Sequence, residues 1–405
     1  MRYNASPDAI VSGGANEFSA EGTAFRWTLC RNRKKGRAVP ERRFGLAQID
    51  EILRHMKELD ASDVHLVTGA PITFRIRGEL VPANDRALAA AEVELLLYEI
   101  IGNEQIEQFE QNWDLDTAHT IEGFARFRVS LFRDHRGPGG VLRIIPEDPP
   151  RLDELGFGEV VTRLAETARG LVLVTGPTNS GKSTTLAAMI NHLNETTTKH
   201  IITLEDPLEF VHRNKRCLIT QRQVGSHTRD FAAALRAALR QDPNVILVGE
   251  MRDLEIIHLA LTAAELGLCV FGTLHTKSAA QTVNRLVDAF PADQQAQIRV
   301  LLSEGLRGVI AQQLLRRADG RGRVAACEIL INTPAIANMI RECKTYQIPT
   351  AIQTGRREGM QLLEQHLAQL VDDGIVTAET ALAVANGPLP ALAASGSVRS
   401  PEPVA

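Results

Sequence analysis

The 405-residue sequence predicts an α/β fold on a mostly parallel sheet, preceded by a smaller α+β domain and followed by a helical segment. Three observations predict it. Short apolar runs at 171–175, 201–204, 245–248 and 270–273 alternate with helical stretches, and strands apolar on both faces belong to parallel sheets covered by helices. The first of these runs leads into a glycine-bounded loop, Gly176-Pro-Thr-Asn-Ser-Gly-Lys-Ser183, and then into the helical stretch 184–190. Before residue 148 the texture differs, with helices beside strands that close in a hairpin.

Each element has a local reason. Residues 1–43 mix Ser, Gly, Ala and Asn with the basic cluster Arg31-Asn-Arg-Lys-Lys35 and show no sustained periodicity, so a disordered extension is expected. The α+β domain, 44–147, opens with a helix at 46–59. It continues through strands at 63–67 and 73–77 and a helix near 93–101, and ends in a hairpin with arms 124–132 and 141–145 joined through Gly137-Pro-Gly-Gly140. Pro146-Glu-Asp-Pro-Pro150 is stiff and turn-prone, which suits a hinge over 148–154. The α/β domain then occupies 155–333, of the kind called RecA-like, and the helical segment 334–386. The Ala-, Pro- and Ser-rich stretch 387–405 reads as a loose tail.

Composition limits what the chain does. Hydrophobic residues make up 44% and charged residues 23%, enough for two or three cores. The formal net charge of −4 offers no global attraction to nucleic acid or anionic lipid, so no direct nucleic-acid partner is expected. Five cysteines form no C-x-x-C pair, and neither a zinc site nor a disulfide framework is legible. No apolar run approaches a membrane span and no signal core is visible, which places the chain in the cytoplasm.

The glycine-bounded loop carries the chemistry. Gly176 and Gly181 let the backbone turn its N–H groups toward a phosphate, and the following helix adds its positive end. Gly176, Pro177, Thr178, Asn179, Ser180, Gly181, Lys182, Ser183 and Thr184 are therefore the candidate nucleotide-binding run. Lys182 reaches the β and γ phosphates of ATP, and Ser183 ligates Mg²⁺. Further motifs stand at strand ends, where open α/β sheets place their ligands. They are Glu205, Asp206 and Glu209 after one strand, Glu250 with Met251-Arg-Asp253 after the next, and His275-Thr276 after a third. Glu205 and Glu209 can join Ser183 in holding Mg²⁺ through water, and either Glu250 or Glu205 can position an attacking water. On the hairpin strand, the period of two puts Arg126 and Arg128 on one face while Phe127, Val129 and Leu131 turn to the core.

These segments, in this order, resemble the Walker A, Asp box, Walker B and His box of the secretion ATPase superfamily. Ala61-Ser-Asp-Val-His-Leu66 is similar to the ASDLHL segment of its N-terminal domain, and Gly305-Leu-Arg-Gly-Val-Ile-Ala-Gln-Gln-Leu-Leu315 to its QQLL helix. Ala335-Ile-Ala-Asn-Met-Ile-Arg-Glu342 resembles the AIRNLIRE signature of the pilus retraction ATPases, and no four-cysteine zinc insert of the extension and secretion type is present. The resemblance implies a PAS-like N-terminal domain on a RecA-like P-loop ATPase domain. It further implies a homo-hexameric, Mg²⁺-dependent motor at the cytoplasmic side of the inner membrane, working on a pilus platform protein and beside a paralogous pilus ATPase. Arg126 and Arg128 would then approach the nucleotide across a subunit boundary, and His275 would sense the γ-phosphate. Two other readings stay open: an extension or type II secretion ATPase, and a weakly hydrolysing accessory subunit. Three positions depart from the pattern. Asn179 and Ala337 stand where the family has Gly and Arg, and Leu268 where it has a second box histidine, which puts efficient hydrolysis in question.

Overall fold

The computed structural model describes residues 47–385 except 77, 147, 148 and 321, together with Gly387 and two three-residue strands near the N-terminus. Those strands, β1 (Phe18–Ala20) and β2 (Thr23–Phe25), pair antiparallel. The rest of the expected 1–43 extension, its basic cluster included, and the tail from 388 onward lie outside the described residues. The chain forms two compact units that divide after Ile144.

The first unit is an antiparallel sheet of six strands in the order β5-β4-β3-β8-β7-β6. These are β3 (Ala61–Val67), β4 (Thr73–Ile76), β5 (Glu79–Pro82), β6 (Asp114–Ile121), β7 (Ala125–Asp134) and β8 (Gly137–Ile145). Its helices are α1 (Gln48–Glu58), α2 (Ala90–Tyr98) and α3 (Asn103–Asn112). On α1, Ile49, Leu53 and Met56 are buried at helical spacing, so one stripe faces inward. That stripe packs with Val93, Leu97 and Phe109 against Val64, Leu66, Phe127, Val129 and Leu131 of the sheet. Burial alternates along β7 as the period of two requires, with Arg126 and Arg128 half-exposed on the other face.

The hairpin turn lies elsewhere than the glycines indicated. The carboxylate of Asp134 accepts hydrogen bonds from the backbone N–H of Arg136 and Gly137, 2.7 and 3.0 Å, so the turn closes at 134–137. Gly137 to Gly140 belong to β8 instead. A Cβ on Gly139 would stand 2.7 Å from the Phe132 ring, which shows why this stretch of strand is glycine-rich.

The second unit is a sheet of seven strands, β11-β10-β12-β13-β9-β14-β15, parallel except for the last pair. They are β9 (Gly170–Thr175), β10 (His200–Glu205), β11 (Leu218–Gln223), β12 (Val245–Val248), β13 (Cys269–Leu274), β14 (Leu306–Arg316) and β15 (Arg323–Ile331). Helices α4 (Glu159–Ala165), α5 (Lys182–Thr196), α6 (Phe231–Ala238), α7 (Leu254–Glu265), α8 (Ala279–Asp288) and α9 (Gln295–Gly305) surround them. Successive residues of a strand serve opposite cores: Leu171 and Leu173 pack with Ile202, Ile246 and Val270, whereas Val172 and Val174 pack with Ile201, Val245 and Phe271. The C-terminal segment is helical: α10 (Pro334–Arg341), α11 (Ile348–Thr354), α12 (Leu363–Asp372) and α13 (Ala378–Leu382). Ile336, Ile340, Ile348 and Ile352 bury against the first core, while Leu363, Leu367 and Leu370 form a smaller cluster with Leu315 and Val376.

The stretch Gly305–Leu315, expected to be a helix, is mainly the strand β14. It lies parallel to β9 and antiparallel to β15. Gly308 to Gln312 are buried without interruption, with Val309 in one core and Ile310 in the other. A strand covered on both faces takes such a β-branched run, whereas a helix would expose part of it.

Candidate functional site

The glycine-bounded loop connects the fully buried β9 to α5, at the C-terminal edge of the sheet. Gly176 (φ +143°) passes so close to β14 that a Cβ there would stand 2.2 Å from the carbonyl oxygen of Gln312. Asn179 adopts φ +64°, a left-handed geometry that asparagine tolerates better than most side chains. Gly181 caps α5 and supplies no side-chain acceptor, so the first-turn N–H groups remain free to bind an anion. Ser180 is 2% exposed, and its hydroxyl oxygen has no hydrogen-bond partner. A loop with unspent donors around a positive helix end fits the phosphates of a nucleotide.

Lys182 folds onto this loop. Its ammonium donates to the carbonyls of Gly176 and Pro177 at 2.9 and 3.0 Å. Burial lowers its pKa, and the charge of Glu250 opposes that shift. Ser183 is exposed and Thr184 half-exposed in the first turn of α5. Inside the loop, Gln312 donates to the Ser180 carbonyl at 2.7 Å and accepts from the Thr185 hydroxyl at 2.9 Å.

The neighbouring strand ends are stitched together. Gly249 N–H donates to the Leu204 carbonyl at 2.7 Å, and the Thr273 hydroxyl donates to the Gly249 carbonyl. This arrangement brings Glu250 and His275 into contact, with His275 Nε2 3.0 Å from one carboxylate oxygen. Arg252 Nε donates to the other at 2.7 Å. Glu205 turns toward β11: it accepts from the Thr203 hydroxyl at 2.6 Å, from Gln221 at 3.3 Å and from the Glu209 N–H at 3.4 Å. Burial pushes its carboxyl pKa up against those hydrogen bonds. Glu209 meets Glu205 through its backbone, and its side chain is exposed, as is Asp206. Among the described residues, no group of three or more acidic, His or Cys side chains could cage a metal ion. A cation here would be held chiefly by nucleotide oxygens and water, with the exposed Ser183 hydroxyl in the first turn of α5 as a protein ligand.

Arg126 and Arg128 stand in the first unit, opposite Thr120 and Ala118 of β6. Arg126 Nε is buried without a partner. In the 61–66 segment Asp63, 1% exposed, pairs with Arg143 at 2.6 Å and Arg75 at 3.8 Å, so its charge is spent joining β3 to both neighbouring strands.

The structure places Leu268 away from His275. It precedes β13, whereas His275 follows the same strand, so at about 3.3 Å per residue the two lie roughly 20 Å apart. Its carbonyl accepts from Gly170 N–H at 2.8 Å, where β9 begins, and its side chain packs on the core under α7. A histidine there would not reach the nucleotide loop of its own chain. Gln312 was missed for the opposite reason. Its only signal was a glutamine pair inside an apolar run, and that run was read as a helix.

Comparison with known proteins agrees with this layout. The family model for the Type II/IV secretion system protein matches residues 42–386. The type IV pilus retraction ATPase PilT of Pseudomonas aeruginosa is 52% identical over 82% of this chain and 96% of its own length. A twitching motility protein of Neisseria gonorrhoeae is 51% identical over 76% of this chain and 82% of its own. The crystal structure of the pilus retraction motor PilT with bound ADP superimposes with a TM-score of 0.79 at 43% identity, covering 85% of this chain and 98% of that one. Among the described residues, no helix is long and apolar enough to cross a membrane. With a RecA-like sheet, a complete phosphate loop and relatives matched along nearly their full length, the chain belongs to the Type II/IV secretion system protein family.

Proposed function

We propose that this chain is the ATP-hydrolysing motor of type IV pilus retraction, working as a homo-hexameric ring on a pilus platform protein at the cytoplasmic side of the inner membrane. One observation carries the reading. The loop with its unspent Ser180 hydroxyl, half-buried Lys182 and neighbouring Glu250–His275 pair lies in a chain 52% identical to a retraction ATPase. Gly176 to Thr184 hold the phosphates, and Lys182 neutralises charge developing on the β and γ groups. Bound Mg²⁺ would neutralise phosphate charge, and Ser183, with Glu205 and Glu209 through water, would hold it. Glu250 positions the attacking water while His275, joined to it, senses the γ-phosphate. A second assignment gives the water to Glu205, favoured by the raised proton affinity of its buried carboxyl. Arg126 and Arg128 of a neighbouring subunit complete the site, and hydrolysis changes the angle between the units about the 146–154 segment.

The place of Leu268, away from the nucleotide loop of its own chain, weighs against a weakly hydrolysing accessory subunit. An extension or secretion motor remains the rival within the family. Deleting the gene separates the two: retained surface pili that no longer shorten are expected, and loss of surface pili would favour extension or secretion.

A further inference from the structure

We propose that Gln312 is a positioning residue of the nucleotide site, a buried strut that sets the shape of the phosphate loop from beneath. The inference rests on the nucleotide reading of that loop. Gln312 is 1% exposed on β14, which runs directly beside β9. It meets the loop at three points and the helix after it at a fourth. Its backbone carbonyl lies where a Cβ of Gly176 would fall, its Nε2 stands 3.1 Å from where a Cβ of Gly181 would fall, and its carboxamide bridges Ser180 and Thr185.

The carboxamide has only one useful orientation. The Ser180 carbonyl can only accept, so Nε2 must face it, and Oε1 is left to accept from the Thr185 hydroxyl. The Ser180 carbonyl thereby fixes which end of the amide faces the loop, and Thr185, 2% exposed, holds the other end. The pair ties the Ser180 carbonyl inward, and across the same trans peptide the Gly181 N–H is turned the opposite way, toward a bound phosphate. Neither side chain needs to touch nucleotide, so each acts through the loop backbone.

The test is titration of the full chain with fluorescently labelled ADP, beside thermal midpoints measured without nucleotide. Gln312→Met keeps the length and removes both hydrogen bonds. Thr185→Val removes the hydroxyl that anchors the far end of the amide, and Thr185→Ser keeps it. The expected result is a loss of ADP affinity of about tenfold or more for Gln312→Met and Thr185→Val, with Thr185→Ser close to the parent. If the parent itself does not bind ADP, the nucleotide reading fails. If the parent binds and both variants bind equally well, the strut fails, whatever their midpoints. Failure of both variants to fold overturns it as well, since the contact would then hold the core and not the loop.

Discussion

Glu328 gives the ATPase unit a pH-dependent stability that a single substitution should remove. It is 8% exposed on β15 and accepts from the N–H of Ala279, the first residue of α8, at 2.7 Å. Burial pushes its carboxyl up to about 6 from the ordinary 4.5, the Ala279 N–H opposes the shift, and the charge of Glu364 adds to it. The folded-state pKa is the higher one, so proton binding favours the folded chain. That contribution is complete below 4.5 and is lost as pH rises through about 6. Glu328→Gln keeps an acceptor for Ala279 and removes the charge. Above pH 6 it should be more stable than the parent by on the order of 2 kcal/mol, the difference closing toward pH 4.5. Thermal midpoints of both proteins across that range check this, and a gap that does not change with pH contradicts it. At this scale the sequence was informative where chemistry is local. The role proposed for Lys182 rests on its place in a loop of fixed spacing, and its half-buried ammonium lies on that loop. Leu268 and Gln312 were illegible because their roles depend on which end of a strand, and which neighbouring strand, they occupy.

Elements were legible where one physical signal dominated. The alternation of β7 and the four mainly apolar strands β9, β10, β12 and β13 could be read directly, because burial on one face or both dictates their pattern. β6 and β11 escaped reading, since Asp114–Ile121 and Leu218–Gln223 are largely polar and only partly buried at sheet edges. β14 was misread because adjacent apolar residues fit a helix or a doubly covered strand equally well until the partners are known. Its assignment has a direct consequence. Val309 and Ile310 are neighbours in sequence but serve different cores. Val309→Ala and Ile310→Ala should each cost roughly 2 to 4 kcal/mol. The double variant should lose close to the sum, within about 0.5 kcal/mol, because the side chains point into different cores. Urea unfolding of the three variants measures this, and a marked departure from additivity would mean that the two side chains share one packing environment.

The whole molecule places the arginine strand in one compact unit and the phosphate loop in the other. The proposed ring joins them between subunits, an arrangement that a single chain's sequence shows only through its resemblance to known motors. If sites are composite, a Lys182→Ala subunit can lend intact arginines to an Arg126→Ala subunit whose loop is intact. Mixed rings should therefore recover part of the activity that either variant lacks alone, and rings confirmed to hold both subunits yet showing no hydrolysis would count against shared sites. The central claim is that this chain hydrolyses ATP at the loop between β9 and α5. Its most direct measurement is the steady-state turnover number of the purified full chain with Mg²⁺ and ATP, beside that of Lys182→Ala. The account predicts measurable hydrolysis by the parent and a loss of about a hundredfold or more in the variant, with thermal midpoints close together. Equal turnover in two folded proteins would contradict it.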